Sequence, residues 1–124
     1  MSNILIVDDS TSTSELHRNF LEEINHNVSV SNEENDALQK IVDLKPDIII
    51  LDLIMDGIGG MEVLKRVREV DKNVGIIMIS VSTNESICKE ALEAGADMYI
   101  TKPVDFYHLA TNILPHFIKT KGLN

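Results

Sequence analysis

Asp8, Asp9, Asp52, Ser80 and Lys102 are side chains of the types that phosphoryl transfer requires. A carboxylate can act as a nucleophile toward phosphorus and form an aspartyl phosphate. Three carboxylates drawn to one place repel one another unless a cation lies among them. An all-oxygen site with few carboxylates suits Mg²⁺, or Mn²⁺ in its place, because such ions take oxygen ligands in octahedral geometry. Mg²⁺ also keeps several waters and shares its coordination with a phosphate. A lysine ammonium and a hydroxyl complete the set, since catalysis of phosphoryl transfer consists mostly of positioning and charge neutralisation.

These residues matter together only if the fold gathers them. Short apolar runs of strand length recur along the chain: ILIV (4–7), VSV (28–30), IIIL (48–51), IIMI (76–79) and MYI (98–100). Between them, apolar residues fall at helical spacing: Leu16, Phe20 and Ile24; Leu38, Ile41 and Leu44; Met61, Leu64 and Val67; Ile87, Ala91 and Leu92; then Phe106, Leu109, Ala110, Ile113 and Phe117. The alternation predicts five strands and five helices, with Ser10 a plausible cap for the first helix. Near-continuous apolar central strands call for a doubly wound α/β fold, a five-stranded parallel sheet covered by helices on both faces. In such sheets the functional crevice lies beyond the carboxyl ends of the strands. Asp8 and Asp9 follow the first run, Asp52 the third, Ser80 the fourth and Lys102 the fifth. Pro115 lies inside the last periodic segment and is expected to kink it or end it early.

A length of 124 residues suits one domain, 1–124, able to bury a core without staples. The longest apolar run, Ile48 to Leu51, is far short of the roughly 20 residues that cross a bilayer. The opening MSNILIVDDS has no basic flank or small-residue cleavage site, so a cytoplasmic location is expected. Cys88 is the only cysteine, which excludes an internal disulfide, and it reads as a small buried helix residue. A net charge of −9 argues against direct binding to nucleic acid or to an anionic membrane.

The segments ILIVDDS, PDIIILDLIMDGIGG, IIMISVS and GADMYITKP resemble the receiver domain of two-component response regulators, over nearly the whole chain. The resemblance implies a (βα)5 receiver fold and a phosphorylation-controlled signalling switch that catalyses only its own phosphotransfer and dephosphorylation. It implies Asp52 as phosphoacceptor, with Asp8, Asp9, Asp52 and the backbone carbonyl of Ile54 around the metal. Lys102 would contact the phosphoryl oxygens ahead of a cis bond to Pro103. Ser80 would be the hydroxyl that moves to the phosphoryl group, and Tyr99 the aromatic that turns inward with it. The implied partners are a sensor histidine kinase or phosphotransfer protein and a downstream target or effector domain. Phosphorylation-dependent homodimers are compatible with this, and the face formed by helix 4, strand 5 and helix 5 would carry the output.

Two positions depart from the family pattern. Asp56 stands where proline is usual, and Val81 stands where alanine or glycine is usual; at the two positions that border access to phosphorus, Val81 is expected to crowd the path and Ser82 is too short to shield it. Gly59 and Gly60 are explained by a turn before the third helix. His17, His26, His108 and His116 all lie away from strand ends and read as structural or surface residues. Two other classes share parts of this pattern. A flavodoxin-like redox module has the same architecture, but Asp8 and Asp9 would repel a flavin phosphate and there is little to stack on the ring. A phosphohydrolase with an aspartate nucleophile shares the metal, but its usual D-x-D arrangement is missing and no cap domain encloses a substrate.

Overall fold

A computed structural model describes residues 2–52 and 59–123. Runs of β-branched residues resist helix and form flat, packable ribbons, and five of them pair as β1 (Asn3–Val7), β2 (Asn27–Ser31), β3 (Ile48–Asp52), β4 (Gly75–Ser80) and β5 (Met98–Thr101). The strand order is β2-β1-β3-β4-β5, every pairing is parallel, and the order reverses beside β1. All residues of β3 and β4 are buried, as strands covered on both faces must be.

Alternation along the strands sorts the core into two layers. Leu5, Val7, Ile49, Leu51, Ile76 and Met78 pack beneath α2 (Glu34–Leu44), α3 (Gly59–Val70) and α4 (Glu85–Glu93). Ile4, Ile6, Ile48, Ile50, Ile77 and Ile79 pack beneath α1 (Thr11–Glu23) and the C-terminal helix. That last helix runs through α5 (Phe106–His108), a π-helical turn (Leu109–Ile113) and α6 (Leu114–Lys121), with helical backbone angles at both junctions. Among the described residues no helix is long and apolar enough to cross a membrane.

Polar side chains fix where the helices start. Ser10 accepts from the Thr13 N–H at the head of α1, and Asn84 accepts from Ser86 and Ile87 at the head of α4. At the opposite end of the sheet Gly95 takes φ +116, and a Cβ there would meet Arg68 Cγ at 2.7 Å. The space is taken by the Arg68 side chain, whose guanidinium donates to the carbonyls of Gly95 and Val74 and pairs with Asp97.

Four local expectations need correction. In α1 the inward face is Ser14 and Leu21, with Phe20 packed against the core as expected, whereas Leu16 is 67% exposed and Ile24 also faces water. Apolar periodicity misleads there because part of the buried face is polar: Ser14 Oγ donates to the carbonyls of Ser10 and Thr11 and accepts from Asn32. Leu44 and Leu92 are likewise exposed, at or near the ends of α2 and α4. Pro115 does not end the last helix. It sits in the first turn of α6, directly after the π-helical turn, whose wider spacing accommodates a residue that lacks an N–H. Cys88 is half-buried rather than buried.

Candidate functional site

The alternation that builds the core also aims the site. Ile6 and Ile50 face α1 and the C-terminal helix, so two residues further along each strand Asp8 and Asp52 point to the same side. Ligand oxygens of Asp8, Asp9 and Asp52 lie within 4.8 Å of one another, with Asp8 and Asp52 buried and Asp9 exposed. The β1–α1 turn holds the first of these: Asp8 Oδ1 accepts from the Ser10 N–H at 2.9 Å, and its carbonyl accepts from Asn32 Nδ2 at 2.7 Å. Lys102 reaches the cluster because its N–H donates to the Ser80 carbonyl at 2.7 Å, which continues the β4–β5 ladder. Its ammonium then lies 3.2 Å from Asp52 Oδ2. The Lys102–Pro103 peptide is cis, as expected.

The donor set fits a hard divalent cation. Three carboxylates crowd together, no sulfur or imidazole is among the grouped atoms, and one lysine ammonium offsets only part of their charge. Ile54 and Asp56 lie outside the described residues.

Ser80 and Tyr99 meet elsewhere. Ser80 follows Ile79, so it faces the α2, α3 and α4 layer, where Tyr99 also packs. The buried Ser80 Oγ accepts from the Ser82 N–H at 3.0 Å, and the Tyr99 hydroxyl donates to the Ser82 carbonyl at 2.9 Å. One peptide segment after β4 therefore holds both side chains, and Tyr99 is already bound to the β4–α4 loop. Val81 points to the acid side: it is 62% exposed and lines a cavity shared with Asp8, Asp52 and Lys102.

His17 lines this cavity as well and was not legible as a site residue. Its ring stacks on Phe106 with centroids 3.8 Å apart and planes within 2°. Burial holds its pKa below the ordinary value; Asp8 opposes that shift and Lys102 adds to it. The available signal was its spacing from Thr13, one helical turn earlier, which puts both on the face of α1 that overlooks Asp8. The other three histidines are not among the cavity's lining residues.

The response regulator receiver domain family model matches residues 4–114. The chain is 42% identical over 106 residues to a protein-glutamate methylesterase/protein-glutamine glutaminase of Trichodesmium erythraeum, covering 82% of this chain and 30% of that protein. It is 36% identical over 102 residues to the transcriptional regulatory protein ResD of Bacillus subtilis, covering 82% and 42%. The chain thus spans less than half the length of these relatives. A CheY-like response regulator receiver domain protein from Methanospirillum hungatei superposes with a TM-score of 0.90 at 25% identity, covering 98% of both chains. Vibrio cholerae chemotaxis protein CheY4 superposes with a TM-score of 0.85 at 27% identity, covering 93% of this chain and 98% of that one. With its acid cluster at the carboxyl edge of a five-stranded parallel sheet, this chain belongs to the receiver domain family of two-component response regulators.

Proposed function

We propose that residues 1–124 form a receiver that takes a phosphoryl group onto Asp52 from the phosphohistidine of a sensor kinase or phosphotransfer protein, or from a small phosphodonor. The observation that carries this reading is the packing of Asp8, Asp9 and Asp52 within 4.8 Å with the Lys102 ammonium 3.2 Å from Asp52. Asp52 Oδ forms the bond to phosphorus while the bond to the donor's leaving atom breaks. Lys102 then releases the carboxylate and follows the phosphoryl oxygens, which need its charge more. Asp8, Asp9, Asp52 and the Ile54 carbonyl would hold Mg²⁺ or Mn²⁺, which neutralises charge on the phosphoryl oxygens. Val81 at the cavity wall limits the approach of water, and so the rate at which the aspartyl phosphate is hydrolysed.

Ser80 couples the site to the opposite face. When its hydroxyl turns to the phosphoryl group it gives up the Ser82 N–H, and the loop that also holds Tyr99 must rearrange. Output is a population shift at α4, β5 and the C-terminal helix. The chain is a signalling unit rather than a metabolic enzyme, and it acts in the cytoplasm. Its partners are a histidine kinase and either a separate target or an effector domain of the kind its longer relatives carry; phosphorylated chains associating in pairs is one form of output, without direct contact to nucleic acid.

Incubation with acetyl phosphate and Mg²⁺, followed by intact-mass measurement, tests the assignment. One phosphoryl group is expected on the wild type, with none on Asp52→Asn or without the metal. Undiminished labelling of Asp52→Asn would overturn it.

A further inference from the structure

His17 brings an imidazole to the cavity that also holds Asp8, Asp52 and Lys102. The half-buried ring lies flat on Phe106, with centroids 3.8 Å apart. Stacking uses only the face of the ring, and a phenyl group would serve there equally well, so the imidazole is distinguished by its polar edge. The rings of His26 and His108 each have a hydrogen-bond partner, the Ser2 N–H and the Asn112 amide. Among the described residues none hydrogen-bonds to the ring nitrogens of His17. Burial, aided by Lys102 and opposed by Asp8, keeps its pKa below the ordinary value. At neutral pH and above the ring is therefore uncharged and offers one N–H donor and one acceptor.

We propose that His17 is a further phosphoryl-binding residue: its ring N–H turns to the phosphoryl oxygens carried by Asp52, through one bridging water, and the flat stack on Phe106 is given up in exchange. The proposal rests on the reading of Asp52 as phosphoacceptor and adds α1 to the elements that hold the group. Phosphorylation replaces a carboxylate already paired with Lys102 by a dianion with more acceptor oxygens than that lysine satisfies. Hydrogen bonds to charged oxygen are about twice as strong as neutral ones, and a water-mediated bond is nearly as favourable as a direct one. Turning the ring edge tilts its plane away from Phe106, which lies four residues beyond Lys102 at the start of α5. Phe106 meets Phe20 edge-on at 6.2 Å, and Phe20 meets the exposed Tyr107 at 5.8 Å. The change at His17 thus reaches the surface between α1 and the C-terminal helix without passing through Ser80.

Beryllofluoride with Mg²⁺, which stands in for the phosphoryl group on Asp52, is the probe. In NMR spectra of the saturated wild type, the His17 ring nitrogens are expected to shift on hydrogen bonding, and the Phe106 ring signals to move as the stacked imidazole tilts away. His17→Phe keeps a ring against Phe106 but has no N–H. It should bind beryllofluoride about fivefold more weakly, with Mg²⁺ affinity unchanged and Phe106 signals that stay in place. His17→Gln, which restores a donor without the ring, should recover most of the affinity. Unmoved His17 and Phe106 signals in the saturated wild type, or wild-type affinity in His17→Phe, would overturn the inference and leave the phosphoacceptor assignment standing. The wild-type spectra decide the matter even if a variant fails to fold. Absence of both beryllofluoride binding and acetyl phosphate labelling in the wild type would instead overturn the function itself.

Discussion

Val81 and Ser82 follow Ser80 directly, yet the structure gives the three residues separate tasks. Val81 is on the acid side at the cavity wall, while Ser82 uses both of its backbone polar groups to hold Ser80 and Tyr99. Valine carries two methyl groups more than alanine, and its χ1 is stiff, so on the proposed reading it obstructs the path to phosphorus. Each ~1.4 kcal/mol of added barrier slows a step about tenfold. Val81→Ala is therefore expected to speed both autophosphorylation by acetyl phosphate and autodephosphorylation, by several-fold each, with little change in Mg²⁺ affinity. Rates measured on the purified variant decide the point; unchanged or slower rates would show that the side chain does not obstruct the path. Asp8, Asp9, Asp52 and Lys102 were legible in the sequence because each follows a strand-length apolar run. His17 was not, because its relation to Asp8 depends on how α1 is turned against the sheet.

At the level of elements, β4 and the loop to α4 touch both faces of the sheet, which makes them the expected joint between chemistry and output. Ile79 packs under α1 and the C-terminal helix, Ser80 faces the other layer, and the Ser80 carbonyl holds Lys102 in place through its N–H. Moving the Ser80 hydroxyl thus disturbs a segment tied to both faces. A near-complete switch needs the phosphoryl group to favour the active form by roughly 5.5 kcal/mol, and a hydrogen bond to a charged group supplies about 1.5–3 kcal/mol of that. Ser80→Ala should accept phosphate on Asp52 yet lose at least tenfold in the switching equilibrium. Amide shifts along α4 and β5, recorded with and without acetyl phosphate, read this out. Full wild-type shifts in phosphorylated Ser80→Ala would rule out the Ser80 to Ser82 to Tyr99 route.

For the molecule as a whole, the site is expected to oppose stability. The net charge is −9, and three carboxylates are crowded at one edge, which costs the fold wherever no cation compensates. Asp8 also accepts the Ser10 N–H, so a variant that keeps the acceptor separates charge from turn geometry. Asp8→Asn combined with Asp9→Asn is expected to lose Mg²⁺ binding and, in chelator, to melt a few degrees higher than the wild type, since ~1 kcal/mol corresponds to several degrees in a domain of this size. Calorimetry in chelator with a parallel Mg²⁺ titration checks both halves. A large fall in melting temperature would instead make the acid pair a structural support for the start of α1.

The sequence alone determined the layer architecture, because strand-length apolar runs alternating with helical periodicity permit little else, and it determined the acid cluster, because a parallel sheet gathers the residues that follow its strands. It also carried the family, through motifs spread over the chain. The tertiary structure decided which face each of these residues serves. Strand parity separates Val81 from Ser80, and only the packed layers show what each parity faces. It also decided the inward face of α1, where buried Ser14 and cavity-lining His17 join Leu21 and Phe20 while Leu16 faces water. The last helix shows the same division: Pro115 was visible in the sequence, but a π-helical turn that lets the helix continue past it is a property of the packed backbone. Hydrophobic pattern records how much of a face is buried, whereas contacts between distant segments determine what that face is buried against.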